Sequence, residues 1–345
     1  MRPAFLSLCF AVLSQAWLGF ASPVPVGELE ARQSGIDSTT YGNLERFAKH
    51  SSAAYQLLGC PRPVGTTLVK YIDRSGTQGY ISRDDSRKEI IVSFRGSMSV
   101  TDALVDLAII MVPLKSTGIT NVGDAHVHTG FQFAYNVVAD DVISTVRNQY
   151  NSRSGYTIVV TGHSLGGAVA SMAAISLKAA LPNAPLKLYT YGQPRVGNAA
   201  FASLVESRVG VNNIFRSDCA HLRLVLRALS ANGIWNQALT TVADGVPTVL
   251  FKALGYRHFA TEYWNFQDPR KLTLCQLLDG PVLTVPSNPA NAANTRKCNG
   301  GDDPKCSDSI PSTFINPAHV YYFGEARTDI DSPIAVMGLN PLLCL

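Results

Sequence analysis

From residue 43 onward, apolar and polar positions follow two rhythms that take turns along the chain. A helix closes over residues 51–58. Residues 67–72 and 79–82 predict two strands split by the turn Arg74-Ser75-Gly76. Residues 89–94, Glu-Ile-Ile-Val-Ser-Phe, form a short β-branched run of the kind buried on both faces of a sheet. Phe131, Ala134, Val138, Val142 and Val146 then recur at helical spacing and predict one amphipathic helix before a strand over 157–161. Residues 167–180 are a run of small residues that predicts a helix able to pack close to a sheet, and 187–191 predict the next strand. Strand and helix alternating in this order predict a mostly parallel sheet covered by helices, in one domain.

The N-terminus departs from that rhythm. Arg2, an apolar stretch over residues 4–20 and small residues near Ala21 have the layout of a secretory signal peptide, with cleavage after Ala21. Pro23 and Pro25 stop the stretch from continuing as a core helix. Residues 22–32 read as a short propeptide ending near Arg32, which leaves 33–345 as the folded domain. Export to an oxidising compartment is expected, where the cysteines can pair. The sequence has no Asn-x-Ser/Thr sequon, so no N-linked glycan is expected.

Composition mainly excludes. An apolar fraction of 46% and a charged fraction of 16% describe a core-forming chain and not a disordered one. A formal charge of +4, with no block of Lys or Arg, gives no footprint for nucleic acid. After the N-terminus no apolar run is long enough to span a bilayer.

The chemistry is concentrated in Ile158-Val-Val-Thr-Gly-His-Ser-Leu-Gly-Gly167. A β-branched strand enters Gly162-His163-Ser164-Leu165-Gly166 and leaves directly as a helix. Such a turn is so tight that side chains at its flanks would collide. Gly162 and Gly166 remove them, and Ser164 is left in a strained position at the top of the turn. The helix N-terminus supplies partial positive charge and N–H groups where an oxyanion would form. His163 adjoins the nucleophile in sequence but leaves the turn in another direction, and reads as structural. A serine hydroxyl needs a base, and the base needs a carboxylate to orient it. In this strand–turn–helix architecture the chain order is Ser, Asp, His. The downstream histidines are His221, His258 and His319.

The run VVTGHSLGGAVASMAA, then YTYGQPRVGN (residues 189–198), VSFRGS (92–97) and PAHVYYFG (317–324), resembles the filamentous-fungal lipases, also called class 3 lipases. The resemblance covers nearly everything from residue 43 to the C-terminus. It implies an α/β-hydrolase fold with a helical lid, and a secreted ester hydrolase that uses no cofactor and no metal. His319 matches the family's catalytic histidine, and His258 a structural segment. Asp244, in Ala-Asp-Gly-Val-Pro, resembles the family's acid loop, with Asp218 as the alternative carboxylate. Leu165 and Ser97 fall where the two oxyanion donors stand. Residues 100–114 lie where the lid helix is placed, with Val100, Leu104, Leu107, Ala108 and Met111 on one face and Asp102 and Asp106 opposite. Asp102-Ala103 stands where Asn-Trp is frequent. Without the resemblance the same stripe would read as a core helix.

Two stretches, 217–242 and 270–293, are atypical insertions against the family pattern. The resemblance pairs Cys60 with Cys344 and Cys298 with Cys306. Cys219 and Cys275 are left over, one in each extra stretch. Either they pair, or both stretches are foreign to the fold, as retained introns would be.

The expected activity is therefore triacylglycerol hydrolysis by a monomer acting on lipid at an oil–water interface. The alternatives are a feruloyl-type or other soluble-ester esterase, and a catalytically inactive lipid-binding relative.

Overall fold

The computed structural model describes residues 35–56, 60–97, 110–219, 222–229, 235–242, 244–265 and 292–309, together with His319 and Cys344. The expected signal peptide and propeptide, and the second extra stretch up to residue 291, lie outside the described residues.

Helix α1 (Ser38–Ala53) opens on Asp37, whose carboxylate accepts from the amide of Thr40 at 2.8 Å, as an N-cap should. Strands β1 (Thr67–Arg74), β2 (Thr77–Asp84) and β3 (Glu89–Phe94) form an antiparallel meander. Two short strands follow, β4 (Met111–Pro113) and β5 (His126–His128). Helices α2 (Thr129–Asn136) and α3 (Ala139–Asn151) replace the single helix expected over 131–146. The apolar period runs through unbroken because both helices lie on the same core. The chain breaks at Val137–Val138, a pair of β-branched residues that favour helix weakly.

Strand β6 (Thr157–His163), helix α4 (Leu165–Ala180) and strand β7 (Leu186–Tyr191) form the next unit. Strand β8 (Gly197–Asn198), helix α5 (Ala199–Val209) and strand β9 (Ile214–Cys219) complete the parallel part. The first extra stretch begins inside β9 and continues as a hairpin, β10 (Leu222–Leu229) with β11 (Trp235–Val242). These two form their own two-stranded sheet. Strands β12 (Tyr256–Arg257), β13 (Glu262–Asn265) and β14 (Thr295–Lys297) follow.

The main sheet has the order β1-β2-β3-β6-β7-β9-β13-β14. β3, β6, β7, β9 and β13 run parallel, and an antiparallel strand pair or single strand closes each edge. Its central strands are covered on both faces. On β6, Ile158 and Val160 enter the large core under α2, α3 and α4, while Val159 meets Leu44, Phe47 and Ala48 of α1 on the other side. The β-branched run therefore reports burial on both faces. The catalytic machinery expected from the sequence lies at the carboxyl ends of these strands, where parallel sheets present their loops.

Residues 98–109, most of the expected lid with Val100, Leu104 and Leu107, lie outside the described residues. Met111 does not belong to a lid helix: it starts β4, paired to His128 of β5. Pro113, two residues on, cannot sit in a helix interior. Met111 instead packs partly buried against the main core.

Candidate active site

The turn between β6 and α4 is as tight as the glycines predict. A Cβ on Gly162 would stand 2.2 Å from the carbonyl oxygen of Gly166. A Cβ on Gly166 would stand 2.2 Å from the carbonyl oxygen of Phe94 on β3. Ser164 occupies φ 59°, ψ −129°, a region that costs a non-glycine residue on the order of 1–3 kcal/mol. The strain is held by hydrogen bonds: the Ser164 amide donates to Tyr191 at 2.8 Å, and its carbonyl accepts from Gly167 at 2.9 Å. Ser164 is the N-cap of α4, and Leu165 its first residue, so the Leu165 amide belongs to the orphan donors at the helix start. The N-terminal end of a 16-residue helix thus lies directly at the serine hydroxyl.

His319 is fully buried and its Nδ1 lies 3.0 and 2.9 Å from the two carboxylate oxygens of Asp244. The carboxylate can only accept, so Nδ1 carries the proton and Nε2 is the basic nitrogen. Nε2 has no hydrogen-bond partner among the described residues. Asp244 is itself fixed, because it accepts from the Val246 amide at 2.9 Å at the start of a 3-10 turn through Pro247.

The structure separates the two candidate carboxylates. Asp218 pairs with Arg216 on the same strand, both fully buried. Burial and the charge of nearby Asp244 push the Asp218 carboxyl up, against the pull of Arg216. Glu262, on the neighbouring strand, is pushed up by burial and by Asp218. Asp218 thus belongs to a buried charge cluster and Asp244 holds the imidazole. His258 points Nε2 at the Pro247 carbonyl, 2.8 Å away, and burial followed by the charges of Arg216 and Arg195 holds it well below the ordinary histidine range. It braces the acid loop and is neutral.

Ser97 is half-buried and follows Gly96 in the loop after β3. A Cβ on Gly96 would stand 3.0 Å from the Ser164 Cβ, so the loop touches Ser164 at a place where only glycine fits.

Sequence reasoning passed over Arg195, which lies in the YGQPRVGN run. Its buried guanidinium binds Asp302 at 2.9 and 2.8 Å, Asp308 at 3.0 Å and the Leu250 carbonyl at 3.1 Å. It clamps the loop after Asp244 to the segment closed by the Cys298–Cys306 disulfide. The signal available was an arginine inside a run of apolar and turn residues. Both family pairings of cysteines are present, Cys60–Cys344 and Cys298–Cys306. Cys219 ends β9, whereas Cys275 lies outside the described residues. Glu262 and the sulfurs of Cys298 and Cys306 lie together, but those sulfurs are joined to each other and are not thiolate ligands for a metal.

A mostly parallel sheet flanked by helices, with a serine at a strand–helix elbow, defines an α/β-hydrolase. The sequence pattern of Lipase (class 3) matches residues 91–220. Secreted mono- and diacylglycerol lipase 1 of Fusarium solani is 28% identical, over 96% of this chain and 91% of its own length. The crystal structure of a triacylglycerol lipase from Penicillium expansum superposes with a TM-score of 0.67 at 26% identity, covering 84% of this chain and 96% of that one. A further triacylglycerol lipase, described as having a serine protease triad at its catalytic centre, gives 0.63 at 25% identity over 85% and 97%. The chain is thus similar to class 3 lipases in sequence and in fold over most of its length.

Proposed function

We propose that the protein is a secreted lipase that cleaves the carboxylic esters of acylglycerols through Ser164, His319 and Asp244. The observation that carries this reading is the Asp244–His319 pair. It fixes the imidazole with its basic nitrogen unpartnered among the described residues, in a fold whose strained elbow presents Ser164.

In the reaction, His319 Nε2 takes the proton of the Ser164 hydroxyl as its oxygen attacks the ester carbonyl. The oxyanion of the tetrahedral intermediate is received by the amides of Leu165 and Ser97. Two donors placed for the developing charge are together worth several kcal/mol. The imidazolium returns its proton to the departing glycerol alcohol, leaving an acyl-enzyme. Water, deprotonated by the same nitrogen, then releases the fatty acid and restores Ser164. Asp244 stabilises the imidazolium throughout.

The acylglycerol class is supported by the relatives, whose names cover mono-, di- and triacylglycerol lipases, and by the apolar stripe of residues 100–108. Secretion is supported by the signal-like N-terminus and by a relative named as secreted. Among the described residues no helix is long and apolar enough to cross a membrane, and the substrate is expected to be met by a monomer at an oil–water interface.

A fluorescent alkyl phosphonate tests the chemistry. It should label the expressed chain stoichiometrically and should fail on Ser164→Ala, whose melting temperature stays near that of the parent. Turnover of a triglyceride should fall by at least about 10⁴-fold in that variant. An unlabelled but folded parent would make the chain an inactive relative. A parent that prefers feruloyl esters to triglycerides would move the substrate class to phenolic esters.

A further inference from the structure

Tyr55 ends the turn that follows α1 and is buried. Its hydroxyl lies 3.0 Å from the amide nitrogen of Gly96 and 2.8 Å from Nδ1 of His163. On the far side of the same imidazole, Nε2 of His163 lies 2.7 Å from the backbone carbonyl oxygen of His319. Three segments distant in sequence meet through these two side chains.

The protons along this chain follow from its ends. The Gly96 amide can only donate, and the His319 carbonyl can only accept. His163 must therefore carry its proton on Nε2 and accept at Nδ1. The Tyr55 hydroxyl then donates to Nδ1 and accepts from Gly96. The bonds along this chain run in one direction. The ring is neutral, since burial, and then the nearby His319, push it down to about 3.

What lies at the two ends gives the arrangement its meaning. Gly96 precedes Ser97 and is packed against Ser164 and the His163 carbonyl. His319 carries the basic nitrogen, and the rings of His163 and His319 lie 4.4 Å apart. Asp244 fixes the rotation of the His319 ring, while His163 ties down its backbone. Because His163 adjoins Ser164 on one rigid elbow, this tie fixes the distance from nucleophile to base.

We propose that Tyr55 and His163 are positioning residues, a directional hydrogen-bond relay that holds the oxyanion loop and the backbone of His319 in register with Ser164. The proposal rests on Ser164 and His319 being nucleophile and base. Neither side chain touches the reacting atoms. Its effect is on geometry, where a displacement of about 1 Å costs on the order of 10²-fold in rate.

The test uses the full-length chain, a short p-nitrophenyl ester and an alkyl phosphonate. Tyr55→Phe keeps the ring and removes the relay's central oxygen–hydrogen group. His163→Met keeps volume and removes both nitrogens, whereas His163→Gln offers an acceptor and a donor at nearly the imidazole spacing. Tyr55→Phe and His163→Met should each lower kcat and the rate of phosphonate labelling by roughly 10- to 100-fold, with KM within about twofold. His163→Gln should recover most of the loss, and the Tyr55→Phe/His163→Met double variant should be no slower than the worse single one. Wild-type kcat in folded Tyr55→Phe, or losses that multiply in the double variant, would overturn the relay. If His163→Met fails to fold, Tyr55→Phe alone decides. A wild-type chain inert to both probes would instead remove the hydrolase reading.

Discussion

Both carboxylate oxygens of Asp244 lie within 3.0 Å of Nδ1 of His319, across 75 residues of sequence. The contact determines which imidazole nitrogen is basic. In Asp244→Asn the amide can donate to that nitrogen, which stabilises the wrong tautomer. Turnover should fall about 10⁴-fold with little loss of stability. Asp218→Asn removes a partner of Arg216 and not of the base, so it should stay within about tenfold of wild-type turnover while its melting temperature changes. Measuring kcat and melting temperature for the two variants side by side checks the assignment, which reverses if Asp218→Asn is the inactive one.

That assignment was only half legible in the sequence. Ser164 announced itself because its chemistry and its backbone strain occupy the same few residues, with a strand before and a helix after. The acid and base carry no such local mark. A loop aspartate beside Arg216 and one beside His319 look alike until the sheet brings β9, the acid loop and residue 319 together, so only the family resemblance preferred Asp244. The layering of the sheet was readable from β-branched runs, because burial on both faces leaves a pattern. The break at Val137–Val138 and the strand at Met111–Pro113 were not, since both keep the apolar period of the helices they replace. Tyr55 gave no signal, and Arg195 only that of a charge inside a run of apolar and turn residues, because their roles lie in long-range contacts.

Buried histidines should set the acid limb of stability. Burial pushes both His50 and His163 down to about 3, with the charges of Arg46 and His319 as the next causes. Between that value and the ordinary 6.5 the unfolded chain binds protons that the native state refuses, so stability rises with pH. The slope is about 1.4 kcal/mol per pH unit for each histidine. Glu262 works in the opposite sense. Its raised carboxyl keeps a proton in the native state that the unfolded chain has lost, so stability declines as pH climbs above the ordinary carboxylate range. Urea midpoints from pH 4 to 9 should pass through a maximum. Glu262→Gln should flatten the decline above the ordinary histidine range and steepen the acid limb where the two effects overlap; an unaltered profile would mean that Glu262 is ionised in the native state.

The two disulfides should differ in what they contribute. Cys60–Cys344 joins residues 284 apart, and Cys298–Cys306 residues 8 apart. If cross-links act mainly on the unfolded chain, the long loop is worth about 5–6 kcal/mol and the short one about 2–3. Cys344→Ser should therefore lower the denaturation midpoint more than Cys306→Ser. The short link has a local duty as well, since it closes the segment that carries Asp302 to Arg195 and ends two residues before Asp308. Loss of this link should reduce turnover by loosening the loop that bears Asp244. Equal midpoints for the two variants would place their effect in native packing and not in chain entropy.

The last prediction concerns the approach of lipid. Residues 98–109 join the oxyanion loop at Ser97 to Ile110, whose carbonyl accepts from the Thr129 amide at 3.0 Å and its hydroxyl at 3.1 Å. Ile110 and, on α2, Phe133 are each more than half exposed, at 56% and 59%. Val100, Leu104 and Leu107 would share one face of a helix, with Asp102 and Asp106 opposite. If the segment lies over the site in water, its apolar face is hidden there. At an oil surface the same face is buried in lipid at about 25 cal/mol per Å², which offsets the opening. Activity on an insoluble triglyceride should then rise steeply once droplets form, while a short soluble ester shows no such rise. Leu104→Ser with Leu107→Ser should flatten the rise and leave the short ester within about twofold. Equal rates on either side of the solubility limit in the wild type would mean that no apolar cover controls entry, and the preferred substrate would have to be sought among soluble esters.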